Sequence, residues 1–372
     1  MENILPWLHL KSVPGIGNHL FKRLIERFGT PQAVLQAPGP ELLAVDGITQ
    51  RTITALHSQK VPDDAAAEIK EAVRRGFRFI PMTHAEYPHL LRQIPDPPPF
   101  LYVSGDLAGC ERPIAVVGAR RPTPYGLNMA RQLAQDLASL GFTVVSGMAL
   151  GIDAAAHEGA LSQRGRTVAV LGSGLANIYP PQHRRLFERI SSAGAVVSEF
   201  SLQAGPDAHH FPIRNRIISG MAFGTVVVEA GKSSGSLITA RLASEQNREV
   251  FAVPGSIQSF KSMGAHTLIK QGAKLVENAQ DIVSELGHFL SGPPAGGSRQ
   301  EALPFEQRHA LTAEEHEVFR ALGPYPVHID ELVRKLSMDA GRLSAILLHL
   351  ELKGIVIQQP GKLFLTANDS AA

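Results

Sequence analysis

The chain has 372 residues, 44% hydrophobic and 19% charged, which is too long for one average domain and too apolar for disorder. Its net charge of +2 conceals an asymmetry: 17 Lys/Arg stand against 10 Asp/Glu across residues 111–276, 8 against 13 across 277–372, and 11 against 11 across 1–110. The single cysteine, Cys110, excludes an internal disulfide and a cysteine-rich zinc site, and the basic surplus marks the middle block as the place for a polyanion.

The opening MENILPWLHLK lacks the basic start and apolar core of a secretory signal. No apolar run nears the roughly 20 residues of a membrane span, so a cytoplasmic protein is expected. Residues 1–76 read as a small all-α N-terminal domain. Two similar turns, Val13-Pro14-Gly15-Ile16-Gly17 and Val45-Asp46-Gly47-Ile48-Thr49, precede helices expected over 18–28 and 50–58. Such turns resemble a helix-hairpin-helix pair, whose N–H groups approach a DNA phosphate without reading bases; a small bundle with glycine caps is the other reading.

Residues 84–106 form a connector in which Pro95-Asp96-Pro97-Pro98-Pro99 must be extended, leading into a strand from Phe100 to Val103. From Pro113 strands and helices alternate. Strands are expected over 114–117, 142–145, 167–171, 195–197, 225–228 and 250–253, with helices over 125–140 and 152–163 among those between them. Continuous apolar strands alternating with helices give a parallel sheet covered on both faces. Ligands bind such sheets at the strands' carboxyl ends. Those ends carry Gly118-Ala119-Arg120, Ser146-Gly147, Gly172-Ser173-Gly174, Glu229-Ala230-Gly231 and Pro254-Gly255, so one composite site is expected. The turn Gly231 to Ser236 opens a helix, where free N–H groups and the helix dipole favour phosphate. Upstream, Arg214-Asn215-Arg216 offers two guanidiniums flanked by apolar residues, an enclosed setting suited to phosphate.

Several chemistries fail on spacing. Gly172-Ser173-Gly174 lacks the third glycine of a dinucleotide fingerprint. Gly231-Lys232-Ser233 matches the tail of a P-loop, but Val226 occupies its first position. Gly231 to Gly235 fits the G-x-S-x-G of a nucleophile elbow, yet Asp281 and His288 supply the other partners in order only. His183, His209 and His210 show no metal-ligand spacing, so no metal or cofactor is expected.

After a Gly/Pro/Ser linker over 288–309, residues 310–367 read as a C-terminal winged helix. Thr312-Ala313-Glu314-Glu315 is a capping box, helices fit 329–336 and 340–353, and Ile355 to Gln359 and Leu363 to Thr366 flank a turn at Pro360-Gly361. The candidate recognition helix offers Arg342, His349 and Lys353 against Asp339 and Glu351 in an acidic block, which suits a protein contact better than duplex DNA.

An ordered set of motifs spans nearly the whole chain: YPHLLRQIPDPPPFLYVSGD (87–106), VVGARRPTPYG (116–126), VVSGMALGIDAAAHEGAL (144–161), TVAVLGSGLANIYPPQHRRLF (167–187), SEFSL (198–202), FPIRNRIISGMAFGTVVVEAGKSSGSLITARLASEQNREVFAVPG (211–255) and GAHTLIKQGA (264–273). With these the chain resembles the DprA/Smf family of DNA-processing proteins. The resemblance implies an α/β fold, an extended Rossmann-like parallel sheet with helices on both faces over 84–287, between the helical domain and the winged helix. It further implies binding of single-stranded DNA, a homodimer through the central domain, and help in loading a RecA-type recombinase during natural transformation. Carried over by motif, the DNA- or phosphate-binding residues are Arg120, Ser146, Gly147, Arg214, Asn215, Arg216, Ser234, Gly235 and Ser236, with Lys232 beside them. Gly174-Leu175-Ala176-Asn177 and His183 depart from common family residues without touching the glycine turns.

Two functions follow. The first is a non-enzymatic single-strand binder, with Phe211, Phe251 and Tyr179 as candidates for base stacking. The alternative is a nucleotide-processing, phosphoribohydrolase-like enzyme using Glu199 or Glu229 as acid or base.

Overall fold

The computed structural model describes residues 4–290, 312–322, 327–336, 338–353, 355–359 and 361–366, in two compact units that divide between Gly292 and Pro293. The expected linker lies largely outside the described residues.

The first unit begins with six short helices: α1 Leu5–Ser12, α2 Asn18–Phe28, α3 Pro31–Gln36, α4 Gly39–Leu43, α5 Gln50–Ser58 and α6 Ala65–Arg74. Both expected turns are present, with Gly15 at φ +89° and Gly47 at φ +93°, a left-handed region that other residues enter at a cost. Sequence gave no sign of β1 (Arg78–Pro81) or of α7 (His89–Gln93); β1 pairs antiparallel with β2 (Phe100–Gly105).

The remaining strands are β3 Pro113–Val117, β4 Thr143–Ser146, β5 Thr167–Val170, β6 Ala195–Ser198, β7 Gly224–Val227, β8 Glu249–Ala252 and β9 Lys274–Leu275. The sheet runs β1-β2-β6-β5-β4-β3-β7-β8-β9. Strands β3 to β9 pair in parallel, and β2 joins β6 in the antiparallel sense. The chain therefore builds outward from β3 in one direction through β6, then returns to lay β7 on the other side of β3. The strand order reverses between β3 and β7, where a crevice opens at the carboxyl edge of a doubly wound sheet.

Alternation along β3 sends Ile114 and Val116 to one face, and Ala115 and Val117 to the other. The first face packs on helices α8 (Pro124–Ser139), α9 (Ile152–Ser162) and α14 (Ala279–Leu290), through Leu133, Ala156 and Ile282. The second carries α10 (Arg184–Ala193), α11 (His210–Gly220) and α12 (Gly235–Glu245). Trp7, Leu10, Phe21 and Leu24 of the N-terminal helices fall in that same buried cluster, continuous with Phe100 and Val117. Helix α13 (Met263–Lys270) follows β8. Among the described residues no helix is long and apolar enough to cross a membrane.

The second unit is a winged helix. Its helices are α15 Ala313–Ala321, α16 Ile329–Leu336 and α17 Ala340–Leu352, closed by a sheet in the order β10 (Val327–His328), β12 (Leu363–Thr366), β11 (Val356–Gln359). The capping box forms in full: Thr312 N donates to Glu315 Oε2 at 2.7 Å, and Glu315 N to Thr312 Oγ1 at 3.3 Å. Val318, Leu332, Leu343, Leu347 and Phe364 make the core. Among the described residues of this unit, only the two-residue strand β10 has no counterpart in the sequence reading.

Candidate nucleic-acid interface

The carboxyl ends of β3 and β7 open onto a groove of about 980 Å³. Gly118 to Arg121 leave β3 on one side, the turn after β7 enters α12 on the other, and α11 contributes Phe211, Arg214 and Asn215. Arg120 and Arg121 are exposed, Lys261 is half-buried, and none of the three is in an ion pair among the described residues. Helix α12 starts at this groove with no side-chain cap on its N-terminus. Ser234 Oγ and Ser236 Oγ hydrogen-bond each other at 2.8 Å, and Asn215 Nδ2 reaches Gly235 O at 3.5 Å. The expected positive helix end therefore faces the same space as the rim cations.

Arg214 is 4% exposed and lies at the groove's floor. Its Nη1 donates to Gly147 O at 2.7 Å and also to Val170 O, while its buried Nε has no protein partner. Burial pulls its pKa down to about 10, opposed by the nearby Asp153, so it stays charged at neutral pH. Gly147 is glycine for a visible reason: a Cβ there would strike the Arg214 guanidinium. Asp153 accepts from Gly147 N at 3.2 Å and from Ala149 N at 3.4 Å, and burial raises its pKa against those bonds and Arg214.

Sequence alone puts several further residues on phosphate, and the structure places them otherwise. Ser146 is fully buried, its Oγ donating to Val116 O at 2.6 Å, and the Gly147 carbonyl holds Arg214 from beneath, so neither residue lines the groove. Arg216 is 6% exposed and gripped by Glu199 Oε2 at 2.5 Å and Asp96 Oδ2 at 3.2 Å. The cause is helical: Arg214 and Arg216 both lie on α11, and residues two apart point about 200° from each other. Arg216 thus clamps α11 to the end of β6 and to the proline connector, and Asn18 Nδ2 joins the cluster through Glu199 at 3.2 Å. Lys232 is exposed but lines a neighbouring cleft of about 680 Å³ beside α12 and α13.

The carboxylates of the enzymatic alternative are also committed. Glu229 accepts from Thr123 N at 2.9 Å and Thr123 Oγ1 at 2.5 Å, holding the residue that caps α8. Glu199 pairs with Arg216. Of the three stacking candidates, Phe251 is fully buried within β8. Phe211 and Tyr179 do line the groove, their ring centroids 5.9 Å apart, with the Arg120 guanidinium 5.0 Å from the Phe211 centroid. Sequence reasoning missed Arg121, Phe260 and Lys261. The Arg120-Arg121 pair was a readable signal; the stretch holding Phe260 and Lys261 has no periodicity to place it. Among the described residues no three His, Cys, Asp or Glu are grouped to hold a metal ion.

In the second unit the recognition-helix cations are partly spent. Arg342 Nε donates to Glu314 Oε2 at 3.2 Å, and Lys353 Nζ to Glu315 Oε1 at 2.7 Å. The Lys353 ammonium and the Thr312 N–H hold Glu315 down at a pKa of about 2.

Comparison with known proteins agrees with this architecture. The family model for DNA recombination-mediator protein A matches residues 78–287, and that for the DprA winged helix domain matches residues 304–362. The Smf protein of Synechocystis sp. is 34% identical over 386 residues, 95% of this chain and 96% of that one. The crystal structure of DNA processing protein A from Streptococcus pneumoniae superposes with a TM-score of 0.65 at 34% identity, covering 74% of this chain and 95% of that one. A solved structure of DNA processing protein A from Helicobacter pylori, reported for its single-stranded DNA binding mode, gives 0.52 at 30% identity, covering 57% and 96%. The chain belongs to the DNA recombination-mediator protein A family, the DprA/Smf proteins its motifs resemble.

Proposed function

We propose that this chain is a non-enzymatic protein that holds single-stranded DNA by its sugar–phosphate backbone in the groove between β3 and β7, and helps load a RecA-type recombinase onto it, as in DNA uptake by natural transformation. The observation that carries the reading is the groove itself. Cations without an ion pair among the described residues at Arg120, Arg121 and Lys261, the buried charge of Arg214 and an uncapped helix start converge there. Donors of this kind engage phosphate oxygens, so binding tolerates sequence. Glu199 and Glu229 are occupied in structural bonds, which favours binding over turnover.

The remaining parts of the reading are a cytoplasmic homodimer formed through the central domain, 84–287, and a winged helix serving as a protein contact. The ion pairs of Arg342 and Lys353 within their own unit support that last assignment. Equilibrium titration of a fluorescent oligonucleotide, single-stranded and duplex, tests the whole. Single strands should bind more tightly, with the logarithm of the affinity falling linearly with the logarithm of the salt concentration. Equal affinity for duplex, salt-independent binding, or release of free base from a nucleoside monophosphate would contradict it.

A further inference from the structure

We propose that Phe260 is a base-stacking platform at the rim of the groove, taking an unpaired nucleobase of the bound strand. The inference rests on the single-strand reading above and deepens it. Phe260 is 70% exposed, and Ile257 in the same segment is 89% exposed. A lone exposed ring says little by itself. Here the ring lines the groove, with Lys261 next to it. Among the described residues it takes part in no aromatic or cation–π pair, whereas Phe211 is already engaged by Tyr179, Arg120 and Arg214.

The segment that carries the ring is firmly built. Ser259 N donates to Ser256 O at 3.0 Å, Ser262 N to Ser259 O at 3.0 Å, and Gly264 N to Ala230 O at 2.8 Å. His266 Nε2 lies 3.0 Å from Gly255 O. A Cβ on Gly255 would strike Ser262, and one on Gly264 would come within 2.8 Å of the Ala230 and Gly231 carbonyls. This backbone is thus seated directly on the turn that leads into α12, and the Phe260 carbonyl lies 3.8 Å from where a Gly231 side chain would begin. A strand whose phosphate sits at the start of α12 carries its base past this ring. An unpaired base has a free π-face to offer, whereas a base in duplex is stacked on its neighbours, so the platform selects single strands.

The test compares a deoxyoligonucleotide with one of equal length carrying abasic sites, at fixed salt, on the full chain and on F260A. The wild type should bind the base-bearing strand more tightly than the abasic one. F260A should weaken the base-bearing strand by about fivefold or more and leave the abasic strand unchanged. In F260W the added indole should be quenched by the base-bearing strand only, against the buried Trp7 as the constant background. If the wild type binds the base-bearing strand but F260A binds it equally well, or loses both strands alike, the inference is overturned and the single-strand reading stands. If the wild type binds neither strand, the reading fails and the inference with it.

Discussion

Removing Arg120 and Lys261 together isolates the electrostatic part of the groove. Three rim cations, Arg120, Arg121 and Lys261, stand without ion-pair partners among the described residues, while Arg214 is offset by Asp153 beneath it. Each phosphate neutralised on a single strand contributes about −0.7 to the slope of log affinity against log salt, so the three give about −2.1. Between 50 and 200 mM salt the wild type should then lose roughly 20-fold in affinity, and R120A/K261A, with a slope near −0.7, only about threefold. Fluorescence anisotropy of a labelled thymidine oligonucleotide over that range reads both slopes. R216A is the control, because Arg216 lies outside the groove with Glu199 and Asp96 on its guanidinium. An unchanged slope in the double variant, even with weaker binding, would refute phosphate contact by these residues, and a slope lowered equally by R216A would refute the division of roles along α11.

R216A should lower stability by about 3–5 kcal/mol, since it strands the buried Glu199 carboxylate, and chemical denaturation of the first unit's transition reads this. G147A forces the Arg214 guanidinium aside, so single-strand affinity should fall at every salt concentration, alongside a stability loss of about 1–3 kcal/mol seen in the thermal midpoint. His157 sets an acid limit. Its Nδ1 lies 2.7 Å from Thr167 Oγ1, which donates onward to Val144 O, so the ring is the donor and its buried Nε2 stays bare. Burial above all, with help from His183 and Arg214, drives its pKa down to about 3. The unfolded chain binds that proton near pH 6.5 and the native chain does not. Stability is therefore full above about pH 6.5 and falls by about 1.4 kcal/mol per pH unit on acidification towards pH 3, a dependence that H157Q should flatten in denaturant titrations at pH 7, 6 and 5.

Much of the fold was legible because its signals are local. Continuous β-branched strands, Gly/Ser turns after them, and capping at Thr312 fix elements within a few residues; of the five strand ends expected to share one site, those of β3 and β7 line the groove. What was not legible depends on three-dimensional partners. Nothing in Arg214-Asn215-Arg216 announces a helix, and only the helix separates a groove cation from a buried clamp. Ser146 and Gly147 read as contacts through the family motif at the end of a strand, yet their partners Val116 and Arg214 come from other elements. Phe251 and Phe260 are alike in composition. The first lies in β8, a strand covered on both faces, and the second on an exposed turn packed on Gly231. Strand β1 is four residues long and exists through its antiparallel pairing with β2, a contact that no local pattern encodes.

The most direct test of the central claim is photocrosslinking of a single strand carrying 5-iododeoxyuridine to the full chain, with the adducts mapped by mass spectrometry. The groove reading predicts adducts on the peptides that hold Tyr179, Phe211 and Phe260, all lost when a tenfold excess of unlabelled strand is added. Adducts confined to α17 of the winged helix, or to the turns at Gly15 and Gly47, would contradict it and move the binding site elsewhere in the chain.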